Sequence, residues 1–97
     1  MFKLHETLEF SLWLERLRDR EARSRIQVRL QRLRLGLFGD SKPVGEGVGE
    51  LRIDYGPGYR VYFIRQGAEL IVLLCGGDKR RQQQDIARAI DLARGLK

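Results

Sequence analysis

Phe10, Trp13, Leu14 and Leu17 fall at i, i+3, i+4 and i+7, the apolar stripe of an amphipathic helix. A second stripe, Ala22, Ile26, Leu30 and Leu33, follows Asp19, a residue suited to break the first helix and cap the next. Gly36, Gly39 and the segment Asp40-Ser41-Lys42-Pro43 end that helix and begin a loop. Ahead of both helices, weak alternation from Met1 to Glu6 predicts a short strand, and Thr7 is the expected N-cap of the first helix.

The second half of the chain switches to a period of two. Gly45, Gly47 and Gly49 predict a flexible or bulged approach to a strand from Glu50 to Asp54, with Leu51 and Ile53 on one face and Arg52 on the other. Tyr55-Gly56-Pro57-Gly58 is a turn, because Gly-Pro-Gly cannot continue a ladder. The return strand runs from Tyr59 to Arg65, with Val61 and Phe63 opposed to Arg60 and Tyr62. Leu70 to Cys75 is apolar on both faces and should be the most buried strand. Gly76-Gly77-Asp78 then leads to a last helix carrying Ile86, Ala89, Ile90 and Ala93 on one side. The order β-α-α-β-β-β-α predicts one α+β domain over residues 1–97. It has a small, mainly antiparallel sheet, two N-terminal helices and a C-terminal helix.

Composition narrows the chemistry. The 97 residues carry 19 Lys or Arg against 13 Asp or Glu, a formal charge of +6. Only Lys3, Lys42, Lys79 and Lys97 are lysines; the other fifteen cations are Arg, whose planar fork suits phosphate and carboxylate and stacks on bases. A polyanion partner, nucleic acid first, fits that bias. The single Cys75 excludes a disulfide framework, and with the single His5 it removes multi-histidine and cysteine metal sites. No metal or cofactor is expected. No apolar run approaches the roughly 18–20 residues of a membrane span, and the N-terminus lacks the basic-then-apolar order of a signal peptide, so no membrane role and a cytoplasmic location are expected.

Three groups of cations stand out. Eight Arg lie between Arg16 and Arg34, a solvated helix face or a docking face for an acidic partner. A hairpin pivoting at Gly56 places Arg52 opposite Arg60, with Cβ atoms roughly 4.5–5.5 Å apart, where like charges repel unless an anion or carboxylate relieves them. Tyr55, Tyr59 and Tyr62 on the same stretch offer aromatic faces of the kind that stack on splayed bases, though at least one belongs to the core. Lys79, Arg80 and Arg81 stand at the start of the last helix, where propensity prefers acids and where anions bind. Cys75, at the end of an apolar run, reads as a buried structural thiol, and His5 as structural.

The stretch from Gly45 to Phe63, GEGVGELRIDYGPGYRVYF, strongly resembles the centre of the addiction-module killer proteins. These are the phage Gp49-like, HigB-type branch of the RelE/ParE toxin superfamily. Leu73 to Lys79 followed by Gln82 and Asp85-Ile86 resembles the second signature of the family, and the runs from Asp19 and from Gly36 also match. The resemblance covers nearly the whole chain. It implies the toxin of a type II toxin–antitoxin pair, RelE-like members cleaving mRNA on the ribosome and ParE-like members inhibiting DNA gyrase. By motif position, Arg60 corresponds to a phosphate-contacting catalytic Arg and Arg52 to a catalytic Lys on the preceding strand. Lys79 or Arg80 falls where the superfamily has a further basic residue. RelE-type enzymes often carry a Tyr or His near the C-terminus; this chain has neither after Tyr62.

The leading expectation is therefore a metal-independent endoribonuclease. Arg52 and Arg60 stabilise charge, Lys79 accepts the 2′-hydroxyl proton, and Arg80, Arg81, Tyr55, Tyr62 and Lys42 bind RNA. A ParE-like gyrase inhibitor and a non-toxic RNA-binding accessory protein are the alternatives. The expected partners are mRNA on the ribosome and a cognate antitoxin, commonly a helix-turn-helix DNA-binding protein. An acidic segment of that antitoxin would dock on the helix pair, the sheet face or their seam, with Arg25, Arg29 and Arg32 as contacts.

Overall fold

The computed structural model describes residues 1–96. Strand β1 (Lys3–Glu6) leads into helices α1 (Leu8–Arg16) and α2 (Arg20–Arg34). Strands β2 (Ser41–Gly45), β3 (Val48–Ile53), β4 (Tyr59–Gln66) and β5 (Leu70–Asp78) follow. A 3₁₀ turn at Lys79–Arg81 then precedes α3 (Gln82–Arg94). Both predicted caps form: the Thr7 hydroxyl accepts from the Phe10 N–H, and the Asp19 carboxylate accepts from the N–H groups of Glu21 and Ala22.

The five strands form one mixed sheet in the order β1-β5-β4-β3-β2, with β1 parallel to β5 and every other pair antiparallel. Strand β2 is a correction to the sequence reading, in which Asp40-Ser41-Lys42-Pro43 begin a loop and Gly45 belongs to a flexible approach to the next strand. Pro43 cannot donate to a ladder, but β2 is an edge strand with one side unpaired, the position where proline is tolerated. Strand β5 also runs on through Gly76 and Gly77 to Asp78, past the predicted end at Cys75.

Both faces of the sheet are covered. Phe10 and Leu14 of α1 and Ile26, Leu30 and Leu33 of α2 pack against Leu51, Ile53, Val61, Phe63, Ile71 and Leu73. On the opposite face Ala89 and Ala93 of α3 pack against Val48, Tyr62, Val72, Leu74 and Cys75. The expected burial of β5 holds from Ile71 to Cys75. Leu74 and Cys75 share a face because the β4–β5 register shifts between Tyr62 and Phe63. That bulge sets Gly77 opposite Arg60 and Gly76 opposite Val61. No helix of the described residues is long and apolar enough to cross a membrane.

Candidate functional site

The β3–β4 hairpin pairs Arg52 with Arg60, as the pivot at Gly56 requires. The turn between them holds Gly56 and Gly58 at φ +57° and +82°, a region that residues with a Cβ avoid. A Cβ on Gly58 would lie 3.4 Å from Nη1 of Arg60 and 3.5 Å from Cβ of Lys79, so the bare backbone lets the two cations approach. Arg52, Arg60 and Lys79 line one cleft of about 440 Å³, together with Asp40, Asp54 and the Gly56-Pro57-Gly58 turn.

Each arginine has a carboxylate against the like-charge repulsion. Nη2 of Arg52 lies 2.7 Å and its Nε 3.0 Å from Oδ1 of Asp40, at the foot of β2. Arg60 lies over Glu50 of β3, whose side chain is fully buried. Oε2 of Glu50 accepts from the Tyr62 hydroxyl at 3.0 Å and from Nε2 of Gln82 at 2.9 Å. Nη1 of Arg60 donates to the carbonyls of Gly58 and Tyr59, which fixes the guanidinium at the floor of the cleft. Burial and the Glu50 charge push the Tyr62 hydroxyl far above its ordinary range, so it stays a donor.

Lys79 and Arg80 are exposed, and Asp78 caps their turn by accepting from the Arg80 N–H at 2.9 Å. The three cations expected at the start of α3 therefore occupy the 3₁₀ turn before it. Arg80 and Arg81 line a neighbouring hollow, which shares Pro57 with the first.

Several sequence expectations need correction. Tyr62 is fully buried and committed to Glu50, so no base can stack on it. Tyr55 has the Arg25 guanidinium 4.7 Å above its ring, and its hydroxyl donates to Asp19 at 2.8 Å. It braces α2 against the hairpin. Lys42 is exposed on β2 and does not line the cleft. Arg29 points inward from α2 and donates to the backbone carbonyls of Arg52, Phe38 and Asp40. Those bonds join α2 to the start of β2 and the end of β3, leaving Arg29 little freedom to meet a partner. Arg25 and Arg32 are exposed along a groove of about 380 Å³ that also includes Val28. Arg25 pairs with Glu21 one turn earlier at 2.9 Å, and the Asp19 carboxylate accepts from the Glu21 N–H and from the Tyr55 hydroxyl. Cys75 is buried, its thiol pushed up to about 12 chiefly by desolvation, which suits the structural role expected of it.

Sequence reasoning offers Glu50 or Asp54 as the partner of Arg52; it missed the two pairings that form, Arg52 with Asp40 and Arg60 with Glu50. Glu50 had a signal: with Leu51 and Ile53 on one face, Glu50 and Arg52 must share the other with Arg60 and Tyr62. Asp40 had none, because its position depends on β2. Among the described residues, no group of three His, Cys, Asp or Glu side chains could hold a metal ion.

A small α+β sheet with a basic cleft at its hairpin is compatible with a RelE-like fold. The family model of the phage-derived Gp49-like proteins (DUF891) matches residues 13–97, and the chain belongs to that family, which is toxin-like and of RelE/HigB type. A protein of Haemophilus influenzae described as uncharacterized is 48% identical over 94 residues, covering 97% of this chain and 95% of that protein.

Proposed function

We propose that this protein is the toxin of a toxin–antitoxin pair and acts as a metal-independent endoribonuclease on mRNA in the cytoplasm, at the ribosome. The observation that carries the reading is the convergence of Arg52, Arg60 and Lys79 on one cleft. Cleavage by the RNA's own 2′-hydroxyl builds extra negative charge on the phosphoryl oxygens. Fixed guanidinium donors stabilise that charge without reorganising. Arg60 is the fixed donor, held by Glu50 and by two backbone carbonyls. Arg52 is the exchangeable one: a phosphate entering the cleft would replace the carboxylate of Asp40 in its fork. In this reading Lys79, exposed on the rim of the cleft, takes the 2′-hydroxyl proton.

The groove beside Arg25 and Arg32 supports an acidic antitoxin segment as the second partner. Opposite charge would speed its association at low salt.

Purified protein added to translating ribosomes should produce mRNA with new 5′ ends, and Arg60→Ala should slow cleavage about 10²–10³-fold, the effect of losing one oxyanion donor. Intact mRNA together with inhibited gyrase supercoiling would select the alternative, a gyrase-directed toxin.

A further inference from the structure

Two stretches singled out in the sequence meet beneath the arginine cleft. Glu50 belongs to the stretch from Gly45 to Phe63, and Gln82 follows Lys79 in the second signature. Their side chains are joined: Nε2 of Gln82, the first residue of α3, donates to Oε2 of Glu50 at 2.9 Å. A carboxylate only accepts, so the amide must present its NH2 end to it. The cleavage chemistry above gives Gln82 no part.

The Glu50 side chain is wholly buried, and its two oxygens have different duties. Oε2 takes two donors from two directions, the Tyr62 hydroxyl from the neighbouring strand and the Gln82 amide from the helix. Oε1 accepts no hydrogen bond and faces Nε of Arg60 at 3.8 Å. The terminal torsion of a glutamate is broad and roughly two-fold, so a single donor leaves the carboxylate free to swivel. Two donors reaching one oxygen from separate elements fix its plane. Oε1 is thereby kept against Arg60.

Arg60 is nearly enclosed, with 11% of its side chain exposed. Its Nη1 is spent on the carbonyls of Gly58 and Tyr59 and its Nε is turned to Glu50, which leaves Nη2 for the cleft. The direction of Nη2 therefore depends on where Oε1 stands. We propose that Gln82 is a positioning residue: through Oε2 of Glu50 it fixes Oε1 against Arg60 and so aims Arg60 at the phosphate. It needs no contact with RNA. The proposal rests on the ribonuclease reading for what Arg60 acts on, and not for the hold on Arg60 itself.

The Nε–H of Arg60 can be followed by NMR in the isotope-labelled full-length protein alone, its cross-peak assigned by its absence in Arg60→Lys. In the wild type this proton should exchange with water far more slowly than that of the exposed Arg32. Gln82→Ala should shift the peak and remove the protection. Gln82→Glu tests the hold within one folded protein. Two carboxylates at hydrogen-bond distance share one proton, which leaves well above the ordinary carboxylate range. At low pH that proton stands in for the amide donor, and the Arg60 peak should match the wild type; as pH rises and the proton leaves, protection should vanish. The charged and titratable groups around Glu50 are Arg60 and Tyr62 on β4 and Lys42, its cross-strand neighbour on β2, while Asp85 and Cys75 act on Tyr62. All of them are present in the wild type, whose amide does not titrate, so the wild type at each pH is the reference.

On translating ribosomes Gln82→Ala should lower the maximal cleavage rate about tenfold, short of the 10²–10³-fold for loss of a donor itself, at an unchanged half-saturating concentration. An unprotected Arg60 proton in the wild type, or a peak that is the same in both variants at every pH, overturns the proposal whatever the RNA assay shows. Cleavage by Gln82→Ala at the wild-type rate overturns it too and leaves the ribonuclease reading standing. A raised half-saturating concentration at an unchanged maximal rate would make Gln82 an RNA contact instead. Protection that follows the variants while the wild type cuts no RNA supports the positioning and rejects the ribonuclease. If Gln82→Ala does not fold, the pH series of Gln82→Glu decides.

Discussion

Oε1 of Glu50 stands 3.8 Å from Nε of Arg60, and both atoms are buried without a hydrogen-bond partner. The two groups form an ion pair by distance but not a hydrogen bond. Such a pair adds little net stability, because each charge has lost its water, yet removing one member strands the other. Glu50→Gln keeps the shape and the contact to the Tyr62 hydroxyl but leaves Arg60 without its counter-charge. We expect it to lower the unfolding free energy by about 3 kcal/mol, the low end for a broken buried pair. Urea denaturation measures this, and a loss under about 0.5 kcal/mol, the scale of an inert surface change, would refute the pairing.

Tyr62→Phe removes a buried donor from Oε2 of Glu50 and leaves the Gln82 bond in place. The expected cost is about 1–2 kcal/mol of stability. Because the ring is fully buried, RNA affinity measured on the folded variant should stay at the wild-type value. A selective loss of RNA binding without loss of stability would return Tyr62 to the binding surface.

The helices and the meander were legible because their signals are local. The stripe Ala22, Ile26, Leu30, Leu33 is buried along its whole length, and Thr7 and Asp19 cap where their side chains allow. Strand β2 was not, since its partner is β3 across a tight turn, and Ser41-Lys42-Pro43 carries no strand propensity of its own. The facing of Arg52 and Arg60 followed from the turn, because register in a hairpin is fixed by its pivot. What holds the two arginines was harder to see. Glu50 reaches Gln82, 32 residues on, and Asp40 reaches Arg52, 12 residues on. Arg29 shows the same limit: its place on a basic helix suggested solvent, yet it is spent on three carbonyls that only the assembled fold brings together.

Asp40 is where an incoming phosphate would compete. Its contact with Arg52 is a surface ion pair, with the arginine side chain 39% exposed, so breaking it costs at most about 1 kcal/mol of stability. Asp40→Asn should release the Arg52 fork and tighten RNA binding by roughly two- to fivefold, the equivalent of that pair. Fluorescence anisotropy with a labelled oligoribonucleotide at fixed ionic strength checks it. Weaker binding would place Asp40 on the RNA side of the mechanism.

Substitutions on α2 should divide by orientation. Arg29→Ala withdraws its donors from three backbone carbonyls and should destabilise the fold by about 2–3 kcal/mol, seen as a lower urea midpoint. Arg32→Glu should change stability by less than about 1 kcal/mol, as surface substitutions do, and Arg25→Glu by more, since it also loses the contact with Tyr55 and the pair with Glu21. They should instead slow association with the antitoxin and flatten its dependence on salt. Stopped-flow rates at low and high ionic strength separate the two classes; unchanged rates for both glutamate variants would move the docking surface off α2.

Asp85 should leave a signature in the pH dependence of stability. Desolvation lifts its carboxyl above the ordinary 3.8; Arg81 opposes the lift, while Asp78 and Glu9 add to it. Between the ordinary and the raised value the native state holds more protons than the unfolded chain. Stability contributed at this site therefore falls as pH rises through that window and stays at its lower level above it. Asp85→Asn cannot titrate, so the wild-type unfolding free energy minus that of the variant should decline with rising pH across the window and then flatten. Arg81→Gln removes the opposing cation and should deepen the decline. Urea midpoints for the three proteins, taken from about pH 3, below the unfolded carboxylate value, up to neutrality, give the comparison. A difference that grows with pH would mean that the Asp85 carboxylate is stabilised as an anion in the folded protein, with a donor already satisfying it.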